Sequence, residues 1–169
     1  FTPVEGGHEH AVGLCRQVED FNRGVLLDGE EHEPLHRFSF GVAGYPEKHE
    51  EARNIDTDIE YLRAKVEAGA EYVVTQMFFD NNLFYNFLYK IREAGITVPV
   101  IPGIMPITSA NQVARAIELS GSFMPQRFKS LVDRFGSDPA AMQQAGIAYA
   151  TDQIIDLYAN HIPLVHVYS

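Results

Sequence analysis

The chain has 169 residues, 46% of them hydrophobic and 21% charged. A length near that of one domain (~100–200 residues) and an ordinary apolar share argue for a folded core and against disorder. Thirteen Lys and Arg against 23 Asp and Glu leave a net charge of −10, which repels phosphate backbones and argues against a nucleic-acid partner.

No run approaches the ~18 consecutive apolar residues of a membrane span. The single cysteine, Cys15, excludes an intrachain disulfide framework and any multi-cysteine metal site. The sequence begins at Phe1, without Met, a basic n-region or a signal peptide, as expected of an N-terminus that is processed, cut or incompletely represented.

In chain order, residues 1–10 read as loop, with Pro3, Gly6 and Gly7. Ala11, Leu14, Cys15, Val18 and Phe21 then fall at helical spacing, which predicts a helix from His8 to about Arg23 with Cys15 on its buried face. The acidic stretch 28–37, broken by Pro34, predicts a surface loop. Phe38 to Ala43 reads as a short buried strand ended by Gly44 and Pro46. Ile59, Leu62, Val66 and Ala70 mark a helix for which Asp56 or Asp58 is the expected cap.

The run from Glu71 to Asp80 is β-branched and aromatic, the composition of a strand buried on both faces. Asp80 or Asn81 caps a helix carrying Phe84, Phe87, Leu88 and Ile91, and Gly95 stops it. Residues 98–107 predict a third strand running into a Pro/Gly loop. Ser109 opens a helix, Pro125 sits in the first turn of another, and Asp138-Pro139 begins a longer one. Pro163 leads into a fourth strand, LVHVY. Strands alternating with helices imply an α/β fold with four parallel strands, whose ligands bind beyond the strands' C-terminal ends.

No phosphate-loop, dinucleotide, nucleophile-elbow or zinc-protease motif is present. His8/His10 and His32/His36 are closely spaced, but Pro34 prevents a helical pair, and a closed metal site needs three or four converging ligands. No metal is expected. Gln76 is placed inside the second strand, where a buried amide must pair at both ends. Two readings stay open on the residues alone: a structural bond to a loop, or an amide that reads the edge of a heteroaromatic ligand. Asp58 and Lys65 stand seven residues apart, on one helical face. Without further context they read as solvated charges too distant to pair.

Read together, GVAGYPEKHEEA, the Asp58-to-Lys65 spacing, AGAEYVVTQMFFD and IPGIMPIT closely resemble the methylenetetrahydrofolate reductase family, in consistent order from about Gly7 to the last residue. The resemblance implies an FAD-containing (β/α)8 TIM barrel. The chain is then one partial domain, residues 1–169, forming the C-terminal half of the barrel with strands five to eight and their helices. A full barrel needs ~250 residues.

The implied reaction is reduction of 5,10-methylenetetrahydrofolate to 5-methyltetrahydrofolate with NADH or NADPH as co-substrate, in one-carbon and methionine metabolism. Implied contacts to FAD are Tyr45, His49 and Ala52, with Asp58 and Lys65 at its ribose and phosphate region. Gln76, near both pterin and nicotinamide, and Gln112 are implied folate contacts, and the closing strand supplies His166 and Tyr168. The family's glutamate acid and its Arg-Gly-Asp segment belong to the first four strands, so no catalytic acid is expected in these residues. A cytoplasmic homo-oligomer with a folate substrate is expected.

Glu50, Tyr61, Ala64 and Ala116 depart from residues common in the family, the last from a phenylalanine that covers ligand in some members. The alternative is a non-catalytic half-barrel that self-associates through its open edges or binds FAD and folate weakly.

Overall fold

The computed structural model describes residues 5–34 and 36–169. Residues 1–4, from the loop expected over 1–10, and Leu35, from the loop expected over 28–37, lie outside the described residues.

Helix α1 (Ala11–Asn22) is followed by β1 (Gly41–Gly44), α2 (Ile55–Glu67), β2 (Tyr72–Thr75) and α3 (Asn81–Glu93). Then come β3 (Val100–Ile101), β4 (Gly103–Ile104), α4 (Ala110–Ser120), α5 (Gln126–Phe135), α6 (Pro139–Ala159) and β5 (His166–Val167). Every paired strand is parallel: β1 with β2, β2 with β3, and β4 with β5. The expectation of an α/β fold with parallel strands joined through helices holds. Among the described residues, no helix is long and apolar enough to cross a membrane.

Capping explains where the helices start. Asp80 caps α3 as expected, its carboxylate accepting from Asn82 N at 2.9 Å, and Lys90 and Arg92 complement the dipole at the far end. Asp138 caps α6, with Pro139 at the first helical position. The α2 cap is a correction. Asn54, not Asp56 or Asp58, accepts from Thr57 N at 2.9 Å, which leaves the Asp58 side chain for another task.

The first strand also starts later than expected, at Gly41. Phe38 is 59% exposed, and its N–H and C=O are both taken by the side-chain amide of Asn22, at 2.7 and 3.0 Å. A backbone satisfied by a fork from α1 does not join a ladder.

The core packs on the face of β2 that carries Val73 and Thr75; Tyr72 and Val74 are only half-buried, so within β2 the expected burial on both faces is complete on one. Ile59 and Leu62 of α2 and Phe87 and Ile91 of α3 close over Val73. Full burial of side chains of this size is worth ~1.5–3 kcal/mol each. Beyond β2, two neighbouring residues enter different clusters. Phe78 packs with Phe84, Ile104 and Leu157, while Phe79 packs with Ile107, Phe128 and Met142. Cys15 is buried at 4% exposure, as its place on the apolar face of the helix predicts.

The third strand differs from expectation in being divided. Val100–Ile101 pairs with β2, whereas Gly103–Ile104 pairs with β5. Pro102 stands between them and has no N–H for a ladder bond. Its carbonyl turns to the other side and accepts from His166 N at 2.9 Å. The two sheets are stitched at Thr75, which is fully buried. Its hydroxyl accepts from Gly103 N at 2.9 Å, and its carbonyl accepts from the Tyr168 phenol at 2.8 Å.

Gly103 is required at this seam, because a Cβ there would stand 2.4 Å from Thr75 O and 2.6 Å from the Tyr168 ring. Gly103→Ala is therefore expected to lower stability by about 2–3 kcal/mol in urea denaturation, the cost of overpacking a site that cannot yield. Tyr168→Phe, which removes one hydrogen bond and no packing, should cost about 1 kcal/mol by the same measurement.

Candidate functional site

The C-terminal ends of β1 and β2 carry most of the sequence's candidate residues. The loop after β1 is held in an unusual shape. Lys48 has φ of 100°, a left-handed conformation that non-glycine residues adopt rarely. Its ammonium secures the turn by donating to the carbonyls of His49 at 2.8 Å, Glu50 at 3.3 Å and Ala52 at 2.8 Å. Ala52 is buried beneath the loop and contributes its backbone to this grip.

The loop's shape aims two rings at α2. Tyr45 and His49 meet edge to face, 4.5 Å between centroids. The His49 N–H donates to Asp58 Oδ2 at 3.1 Å, and its ring Nδ1 accepts from Glu51 N at 3.2 Å. Asp58, one turn into α2, is only 7% exposed. Lys65 reaches from the last turn of α2 to donate to Ala43 O at 2.8 Å, and its ammonium lies 6.0 Å from the Tyr45 ring centroid.

These four side chains line one cleft of about 440 Å³. The opposite wall is the start of α1: Glu9, His10, Ala11 and Val12. No periodicity or motif read from the sequence pointed to that wall. Tyr61, Ala64 and Glu51 complete the lining.

The cleft suits a ligand with an anionic part. The first turn of α1 presents backbone N–H groups and the positive end of the helix dipole. Lys65 adds a point charge from the facing helix. Burial pushes the Lys65 pKa below the usual lysine value, and the Asp58 carboxylate partly opposes that shift. Burial raises the Tyr45 phenol, with the Asp58 charge adding to it, so the ring stays protonated. Among the described residues, no three His, Cys, Asp or Glu converge as metal ligands.

The remaining candidates do not line this cleft. Gln76 lies just past β2 and is half-buried, a correction to its expected place inside the strand. Its N–H extends the ladder by donating to Gly44 O at 2.8 Å. Its side-chain carbonyl then accepts from Met77 N at 2.9 Å, which ends the strand. Gln112 closes a capping box at the start of α4, accepting from Thr108 N at 2.8 Å and Ser109 N at 3.2 Å. That role was readable from the Ser109-to-Gln112 spacing. Tyr168 packs edge to face with His166, 4.6 Å between centroids, and serves the Thr75 seam. Ala116 is buried in the core, so the position offers no side chain to cover a ligand.

Removing Asp58 should act twice. Asp58→Ala leaves the His49 N–H without its acceptor, an expected loss of about 1–3 kcal/mol in chemical denaturation. It also removes the charge that supports the Lys65 ammonium, so NMR titration of Lys65 should find its pKa lower in the variant than in the parent.

A family model described as Methylenetetrahydrofolate reductase matches residues 3–169. Methylenetetrahydrofolate reductase 2 of Saccharomyces cerevisiae is 35% identical over 175 residues, covering 100% of this chain and 27% of that protein. Methylenetetrahydrofolate reductase 1 of Schizosaccharomyces pombe is 36% identical over 169 residues, covering 100% of this chain and 26% of that protein. The chain thus spans about a quarter of the length of these curated relatives.

Among solved structures, an uncharacterized protein from Clostridium thermocellum, described as binding two copies of 5-methyl-5,6,7,8-tetrahydrofolic acid, superposes with a TM-score of 0.56. It shares 15% identity with this chain and aligns with 78% of it and 46% of its own length, a likeness of fold. On the family match and the relatives that span its whole length, the chain belongs to the methylenetetrahydrofolate reductase family.

Proposed function

We propose that this chain forms the C-terminal half of a (β/α)8 barrel that reduces 5,10-methylenetetrahydrofolate to 5-methyltetrahydrofolate, with FAD as cofactor and NADH or NADPH as co-substrate. The observation that carries the reading is the convergence of Tyr45, His49, Asp58 and Lys65 on one cleft at the C-terminal strand ends. Parallel strands linked through helices, with β1 at an edge of one sheet and β5 at an edge of the other, support the half-barrel reading.

The donor set fits a dinucleotide diphosphate and the sugar beside it. Lys65 and the first turn of α1 would hold the diphosphate, and Asp58 would accept from a ribose hydroxyl. Tyr45 and His49 offer ring faces and edges to the rest of the cofactor. When bound, FAD supplies hydride acceptance from a reduced nicotinamide and hydride donation to the folate.

Gln76 and Gln112 each have the side-chain carbonyl engaged by backbone N–H groups, which leaves the amide N–H groups to donate to acceptors on the pterin. Tyr168 gives its proton to Thr75 O, so its oxygen would meet a ligand only as an acceptor. The reaction also consumes a proton, delivered in this reading by an acid outside these 169 residues.

The test uses the full-length polypeptide. The purified protein is expected to show flavin absorbance and to oxidise NADH or NADPH over many turnovers only when 5,10-methylenetetrahydrofolate is present. Lys65→Met should weaken FAD binding by about tenfold, the equivalent of one charge-assisted contact of ~1.4 kcal/mol. A colourless protein that ignores added FAD would overturn the reading.

For the 169-residue chain alone, the outer edges of β1 and β5, unpaired among the described residues, favour a second reading, self-association by edge pairing. Light scattering is expected to find a dimer or larger species. A monodisperse monomer would refute it.

A further inference from the structure

One carboxylate in the cleft's own loop points away from the cleft. Glu47 lies between Tyr45 and His49, and its Oε2 accepts from Phe123 N at 2.7 Å, across 76 residues of sequence. Its other oxygen, Oε1, is buried and has no hydrogen-bond partner. Among the described residues it is the one buried side-chain polar atom left unpartnered. A stranded carboxylate oxygen is a standing cost, so its retention calls for a reason.

The segment that Glu47 holds supplies one. Residues 121–125 join α4 to α5 and meet the chain just past β2. Ser122, buried at 5% exposure, donates to Met77 O at 2.7 Å, and Met124 is anchored in the core beside Ile107. Met77 is the residue whose N–H engages the Gln76 carbonyl. A continuous set of contacts therefore runs from the Tyr45–His49 loop through Glu47, Phe123, Ser122 and Met77 to Gln76. The α4 helix, which carries Gln112, feeds directly into the held segment.

We propose that Glu47 is a positioning residue that ties the cofactor loop to the folate side of the site, so that occupancy of the cleft fixes the α4–α5 connection and with it the Gln76 loop. The inference rests on the proposed cofactor reading and goes beyond it by assigning the link between the two halves of the site. The working group is the Glu47 oxygen that accepts from Phe123. A glutamine can reproduce that bond and an alanine cannot.

The test compares the full-length wild type with Glu47→Gln and Glu47→Ala. Amide exchange at Phe123 is measured with and without FAD, beside the FAD Kd and the KM for 5,10-methylenetetrahydrofolate. FAD is expected to slow Phe123 exchange in the wild type and in Glu47→Gln, and to leave it unchanged in Glu47→Ala. The folate KM should rise about tenfold in Glu47→Ala, the scale of one hydrogen bond to a charged acceptor, while the FAD Kd moves less than about threefold. A general loss of structure would move both constants together and would not be rescued by glutamine.

FAD binding with wild-type Phe123 exchange in Glu47→Ala overturns this inference alone, as does a Glu47→Gln variant as impaired as Glu47→Ala. A wild type that binds no FAD overturns the proposed function and this inference together. Should Glu47→Ala fail to fold, Ser122→Ala cuts the link at its other end: FAD should still slow Phe123 exchange while the folate KM rises about tenfold, and an unchanged folate KM overturns the inference.

Discussion

Thr75 holds the two sheets together. A buried threonine at the end of a parallel strand would ordinarily need an acceptor for its hydroxyl and a ladder partner for its carbonyl. Here the hydroxyl takes the Gly103 N–H and the carbonyl takes the Tyr168 phenol, so one residue joins β2 to the strand pair beyond Pro102. Without that seam, β4 and β5 would be a two-stranded fragment of two residues each, too small to stand alone. The seam lies at the last residue of β2, immediately before Gln76.

The seam and the cleft meet around β1 and β2. Gly44, last in β1, gives its carbonyl to Gln76 N, while Ala43, one residue earlier, gives its carbonyl to Lys65. Consecutive carbonyls of one strand thus serve opposite sides of the site. Polar side chains replace ladder partners where the strands run out, which is what lets loops of such different shapes leave a common sheet. Lys48 does the same within its loop, three carbonyls converging on one ammonium in place of regular structure.

Much of this was legible in the sequence because it is local. The spacing of Phe84, Phe87 and Ile91, the Asp80 cap and the Asp138-Pro139 start each follow from residues a few positions apart. The ordered motifs identified the family, and its comparison with known proteins agrees.

What escaped depends on distant partners. Phe38 reads as a strand residue until Asn22, 16 positions earlier, takes its backbone. Asp58 reads as a cap until the fold brings the His49 N–H to it. Half of the α1 wall of the cleft has no chemical signature, since Ala11 and Val12 contribute position and backbone alone. Pro102 was visible as a break, but that its two sides would choose different neighbours was not.

The cleft's own charges are unequally distributed. Glu9, Glu51 and Asp58 place three carboxylates on its lining, and Lys65 is the one lysine or arginine among them. Three carboxylates to one ammonium leave the cleft short of positive charge. In the proposed reading, acceptance of an anionic ligand therefore turns on Lys65 and on the backbone at the start of α1, because no second lysine or arginine of the lining can take over that role.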